Sequence, residues 1–142
     1  MLAGRILAHA QGFRVLAAAS EEFDWDLNMA TIAEIWRAGC IIRSVLLDEF
    51  ANAFRGEIPQ GHLILAPSMR IHLARCIPSL RRVVVAAVQT GVAVPAFSGA
   101  LAWYDSMSRA RGATNLVQAQ RDFFGRHGFE RLDQHGKFNA DW

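Results

Sequence analysis

Apolar residues at Leu2, Ile6, Ala10, Phe13 and Leu16–Ala17 return at helical intervals and predict a helix that opens the chain. No Ser, Thr, Asp or Asn precedes it as a cap, so it reads as cut rather than begun, and further chain upstream is the expectation. A polar break follows at SEEFDWDLN, 20–28. The next helix is expected to start near Asn28, with Thr31 and Glu34 in capping-box spacing and Ile32, Ile35 and Trp36 on one face. The run AGCIIRSVLLDEFANAF predicts a third helix over 38–54, with Ile42, Val45, Leu46 and Ala53 at helical steps and Gly56 and Pro59 closing it. After the short apolar turn GHLILAPS, a long helix is expected from Pro67 to Gln89. Pro78 should kink or split it. Thr90-Gly91 stops that helix, and Pro95 biases VAVPAF towards an extended linker.

Two more helices are expected. One is SGALAWYDSMSRA at 98–110. The other, after Gly112, is capped by Thr114 or Asn115 and runs to Gly125, where a left-handed stop is available. The tail GFERLDQHGKFNADW differs in kind. Asp133-Gln134-His135-Gly136 is a turn sequence between two short extended pieces, and so small a hairpin needs a surface to lie on. The fold class is therefore all-α with an irregular C-terminal tail: a helical domain over 1–127 and an extended tail over 128–142. The segments 38–54 and 83–94 are apolar nearly all round. They are expected to be buried deeply, against a second subunit if not within the chain.

Composition adds limits. The chain has 142 residues, 52% of them apolar, and a net charge of +2, which suits one globular domain. Fourteen of the fifteen cations are arginine, the exception being Lys137, and they form no stripe or block. A nucleic-acid partner is not expected. Cys40 and Cys76 stand outside any metal-ligand spacing and read as buried thiols in a reducing compartment. The apolar runs are too short to span a membrane, and the opening residues lack the apolar region of a secretory signal. A cytoplasmic location is the expectation.

Few side chains could carry chemistry. Glu21, Glu22, Asp24 and Asp26 suit a solvated loop better than a metal site. His9, His62, His72 and His135 are isolated, and Tyr104-Asp105 suits packing. There is no glycine-rich nucleotide loop, no nucleophile elbow and no lysine in the helical body. The stretch QAQRDFFGRHGFER, 118–131, stands apart. Arg121 precedes Gly125 and His127 follows it. On an unbroken helix the two would lie about 120° apart. If Gly125 ends the helix, His127 is released and both cations can approach one anion. A guanidinium fork suits phosphate, and an imidazole adds a donor that titrates near neutrality. From these residues alone, a helix-terminal surface role and an anion site both stay open.

Several strings resemble decarboxylating 6-phosphogluconate dehydrogenase: AQGF, AASEEFDWDLN, IAEIWRAGCIIRSVLLDEF, VPAFSGALAWYDSMSR and above all TNLVQAQRDFFGRHGFER. The resemblance runs from Met1 to Trp142 and covers the C-terminal third of a family subunit. It implies conversion of 6-phospho-D-gluconate to ribulose 5-phosphate, CO2 and NADPH, in a homodimer. The NADP-binding Rossmann domain and the catalytic lysine and glutamate would lie in sequence absent here, so no catalytic, nucleotide-binding or metal-binding residue is expected in this chain. The family motif QAQRDYFGAH implies that Arg121 and His127 cross the dimer interface to bind 6-phosphogluconate, with Arg121 on the phosphate. The alternative is a non-enzymatic helical interaction module derived from that enzyme. This chain departs from the family pattern at Phe123 and Phe129, where tyrosine is usual, and at Arg126, where a small residue is common. Gly128 stands for a threonine and Asn139 for a histidine, while Phe138 and Trp142 are kept.

Overall fold

The computed structural model describes all 142 residues. Six helices are followed by one small hairpin: α1 (Leu2–Glu22), α2 (Met29–Arg37), α3 (Leu46–Arg55), α4 (Pro67–Thr90), α5 (Pro95–Met107), α6 (Thr114–Gly125), β1 (Phe129–Glu130) and β2 (Lys137–Phe138). Two short 3-10 turns, at 59–61 and 63–65, lie between α3 and α4. The all-α class with an irregular tail is what the chain adopts. The chain divides into two compact units, Met1–Tyr104 and Asp105–Trp142, with the division in the last turn of α5. The sequence had suggested a division at 127/128 instead.

The first unit has a conventional core. Helix α1 buries Ala3, Ile6, Leu7, Ala10 and Phe13, a helical stripe, whereas Leu2 stays exposed. Helix α2 packs on α3 and α1 on α4, and the turn at 63–65 touches α1, α3 and α4. Phe13 is the meeting point of three helices. Its ring lies 4.8 Å from Phe54, 5.2 Å from Trp36 and 6.3 Å from Phe50. Gly4 is buried where α1 meets α5: a Cβ there would lie 2.8 Å from the Phe97 ring. Only glycine lets that ring approach so closely.

Several element boundaries and caps differ from the pattern's forecast. Helix α2 is capped by Asn28, whose Oδ1 accepts the Thr31 amide at 3.0 Å. Glu34 does not close a capping box; it pairs with Arg55 of α3. Ala30 and Ala33 form the buried face of α2, with Ile32 and Trp36 partly covered, and Ile35 faces outward. The segment 38–45 is not helical. Gly39 is left-handed at φ 75°, and the Ser44 hydroxyl takes the Leu46 amide at 3.2 Å, so the helix restarts there. Asp48 and Glu49 in the new first turn suit its positive end.

Pro78 does not split α4, which runs unbroken to a left-handed Gly91 at φ 71°. Pro95 does not extend the chain. It opens α5, in the first-turn position where a missing N–H is harmless, and the Val94 carbonyl accepts the Phe97 and Ser98 amides. The expected deep burial of 38–54 and 83–94 holds only in part. Leu46, Leu47, Phe50, Ala51 and Ala87 are buried, but Ile41, Val45, Val83, Val85 and Val88 are exposed on the single chain. No helix is long and apolar enough to cross a membrane.

The first unit's stability should depend strongly on the Phe13 node. Phe13→Ala is expected to lower unfolding free energy by about 3–5 kcal/mol, read as a lower urea midpoint at unchanged slope. A loss below about 1 kcal/mol would show that the three helices close without that ring.

Candidate anion-binding site

The second unit contains none of the chain's buried hydrophobic residues. Its one buried side chain is a carboxylate, Asp122, in the last turn of α6. Three donors from the tail converge on it. The Gly128 amide donates to Oδ1 at 2.9 Å, and the Ala140 amide and the Trp142 indole donate to Oδ2 at 2.8 and 2.9 Å. The Ala140 amide is the largest influence on the carboxyl, holding it below the usual aspartate range. Desolvation opposes this, and Trp142, Gly128 and the nearby charge of Arg126 reinforce it. One turn earlier on the same face, the Gln118 side-chain amide donates to the Gly128 carbonyl. Both ends of the Gly128 residue are thereby tied to α6.

The helix stop is one residue later than the sequence suggested. Gly125 keeps helical geometry, and Arg126 takes the left-handed conformation at φ 48°, donating its amide to the Asp122 carbonyl at 2.7 Å. Gly125 serves a different need. A Cβ there would lie 2.7 Å from His127 Nε2 and 3.0 Å from Cδ2. The imidazole lies across the space that a side chain would fill. Gly128 is likewise constrained: its φ is 72°, and a Cβ would meet Lys137 Cε at 2.6 Å and Cγ at 2.8 Å. This accounts for glycine at a position where the resemblance leads one to expect threonine.

Beyond the stop, β1 and β2 pair antiparallel, with Phe129 opposite Phe138 and Glu130 opposite Lys137. Residues 131–136 join them, with the chain bending at 132–134 and at Gly136, whose φ is 120°; the expected turn at 133–136 falls within this longer link. Arg131 lies 5.5 Å over the Phe138 ring and is paired with Asp133 at 2.5 Å. Trp142 meets Phe123 edge to face, with centroids 5.8 Å apart.

These contacts gather the cations. An open depression of about 480 Å³ is lined by Gln118, Arg121, His127, Gly128, Phe129, Glu130 and Lys137. Arg121 and His127, predicted from sequence, thus border one space, and Lys137 joins them. Arg126 is not among the lining residues. Asp122 and Lys137 escaped the sequence reading. Asp122 did carry a signal: an acid in a helix's last turn opposes the macrodipole, so it needs donors from elsewhere. Lys137 carried none, because only the strand register brings it to α6. The other candidates do not assemble. His9 sits against Phe50, His72 pairs with Glu49 at 2.8 Å, and no cluster of potential metal ligands forms.

Comparison with known proteins decides the ancestry. The family model for the C-terminal domain of 6-phosphogluconate dehydrogenase matches residues 1–142. The chain belongs to the 6-phosphogluconate dehydrogenase family. It is 49% identical over 140 residues to the decarboxylating 6-phosphogluconate dehydrogenase of Escherichia coli K12, covering 98% of this chain and 30% of that protein. The Lactococcus lactis IL1403 enzyme is 46% identical over 138 residues, with 97% and 29% covered. Among solved structures, Plasmodium falciparum 6-phosphogluconate dehydrogenase, studied with NADP+ and with 6-phosphogluconate, superposes with a TM-score of 0.89 at 39% identity. That match covers 99% of this chain and 30% of the Plasmodium chain. The chain therefore spans about three tenths of the length of these relatives, all within the helical C-terminal domain of the family.

Two outcomes test the site's construction. Alanine suits a helix better than glycine by about 1 kcal/mol, so Gly125→Ala should keep α6 and displace the His127 ring. Its imidazole proton resonances should move while the Ala140 amide stays protected from exchange; an unmoved ring would refute the close approach. The second concerns Asp122, whose folded-state acidity is strengthened. Its contribution is fully present above the ordinary aspartate value of about 3.9 and is lost as pH falls through the lower folded value. Gly128 and Ala140 amide protection should therefore collapse on acidification below about pH 4. In Asp122→Asn it should already be weak at neutral pH. Protection unchanged by both would mean that the tail is held by other contacts.

Proposed function

We propose that this chain is the C-terminal part of an NADP-dependent decarboxylating 6-phosphogluconate dehydrogenase, and that it dimerises and completes the substrate site of a facing subunit. The observation that carries this reading is the depression bordered by Arg121 and His127, within a motif covered by the family match. It is open and walled by α6, the link at 127–128 and the hairpin, so a second surface is needed to enclose a sugar acid. The exposed Val83, Val85 and Val88 of α4, and Leu116, Phe123 and Phe124 of α6, supply apolar surface for such an association. In this reading Arg121 grips the phosphate through two parallel N–H donors, and His127, fixed over Gly125, donates to the same ligand.

The nucleotide does not fit this chain. Its only strands are the two-residue pair β1 and β2, and no strand–glycine-loop–helix unit exists to cradle a pyrophosphate. No step through NADP is assigned to these residues. Their contribution is binding and orientation of the acid substrate.

The test uses the chain assembled with a subunit that carries the nucleotide domain. Losing a charge-assisted, two-point contact costs about 1.5–3 kcal/mol, so Arg121→Ala should raise the KM for 6-phosphogluconate roughly ten- to a hundredfold. Followed by NADPH absorbance, the pure chain should show no turnover. An unchanged KM in the variant would remove Arg121 from the substrate site, and turnover by the chain alone would overturn the reading of it as part of a larger enzyme.

A further inference from the structure

We propose that Lys137 is a specificity-determining residue of the depression, a third cation that selects a phosphate monoester over a simple carboxylate. The inference deepens the proposed function and rests on it for the identity of the ligand. Lys137 is the chain's only lysine. Hairpin register places it opposite Glu130, on the strand that faces Gly128. Its aliphatic stem packs so closely on Gly128 that no β-carbon fits between them. A long flexible side chain is thereby held to the wall of the depression, which lowers the entropy lost when its ammonium engages a ligand.

Charge decides the class of ligand. The lining groups are Arg121, Lys137 and His127 on one side of the balance and Glu130 on the other. With a neutral imidazole the sum is +1, and with a protonated one it is +2. A phosphate monoester carries about −1.5 to −2 at neutral pH. A carboxylate carries one charge and would leave the site with excess positive charge when His127 is protonated. Arg121 supplies the planar fork and Lys137 the compact point charge, two complementary ways of holding a phosphate. The other cation of the hairpin, Arg131, is already engaged by Asp133. Lys137 also offsets Glu130, which would otherwise repel any anion entering beside it.

The experiment is a nuclear magnetic resonance titration of the intact 142-residue chain, following the His127 and Gly128 resonances. The probes are 6-phosphogluconate, inorganic phosphate and gluconate. Lys137→Met keeps the stem over Gly128 and removes only the charge. It should weaken 6-phosphogluconate and phosphate roughly five- to tenfold, leave gluconate unchanged, and be rescued by Lys137→Arg. Glu130→Gln should tighten the phosphorylated probes. Equal weakening of gluconate would overturn the phosphate assignment, and unaltered phosphate affinity in Lys137→Met would overturn the role of Lys137.

Arg121→Ala separates the two claims. If it weakens binding while Lys137→Met does not, the proposed function stands and this inference fails. If Lys137→Met weakens binding and Arg121→Ala does not, Lys137 stands and the Arg121 assignment fails. A wild-type chain whose resonances do not move with any phosphorylated probe would refute the anion site itself.

Discussion

The C-terminal unit depends on one buried carboxylate. Asp122 holds three tail donors at hydrogen-bond distance, in a region with no buried hydrophobic side chain to do the same work. A two-strand hairpin of two residues per strand has little stability of its own. Here it is fixed because Gly128, Ala140 and Trp142 each surrender a donor to the same group. A buried carboxylate without partners would be expensive; with three donors its charged form is favoured. The same aspartate accepts the Arg126 amide through its backbone carbonyl, so helix stop and tail attachment share one residue.

That arrangement explains the shape of the site. Arg121 precedes Asp122 on α6, and the glycine at 125 and the left-handed turn at 126 and 128 bring His127 back over the helix end. The hairpin then carries Lys137 across Gly128 to the same depression. Each cation is placed by a backbone constraint rather than by an ion pair. Two glycines matter for reasons of space: Gly125 admits an imidazole and Gly128 admits a lysine stem. Arg126, the least expected residue of the motif, sits outside the depression and contributes its charge to Asp122 instead.

The first unit follows a different logic. Its helices α1 to α5 close over a continuous apolar core with Phe13 at the junction of three of them. Yet α4 leaves several valines uncovered, and in the second unit α6 leaves two phenylalanines. A chain that buries one set of apolar residues so fully and exposes another has surfaces suited to association. The family match runs over its whole length and over three tenths of its relatives' length.

The sequence by itself determined the helical class, the start of α1, the positions of α4 and α6 to within a residue or two, the reversal of the chain in the tail and the family. Helical periodicity and glycine or proline punctuation are local, and the motif strings are long enough to be specific. It also singled out Arg121 and His127, through the resemblance of QAQRDFFGRH to the family motif, and the two border one depression. Only the tertiary structure decided that Ser44 restarts a helix inside an apolar run, that Pro95 begins one, and that Glu34 turns to Arg55 rather than to its own cap. It alone revealed Asp122 as the anchor and Lys137 as a neighbour of Arg121. The last two depend on contacts across 6 to 20 positions of the chain and on strand register, and no local pattern of hydrophobic and polar residues encodes either.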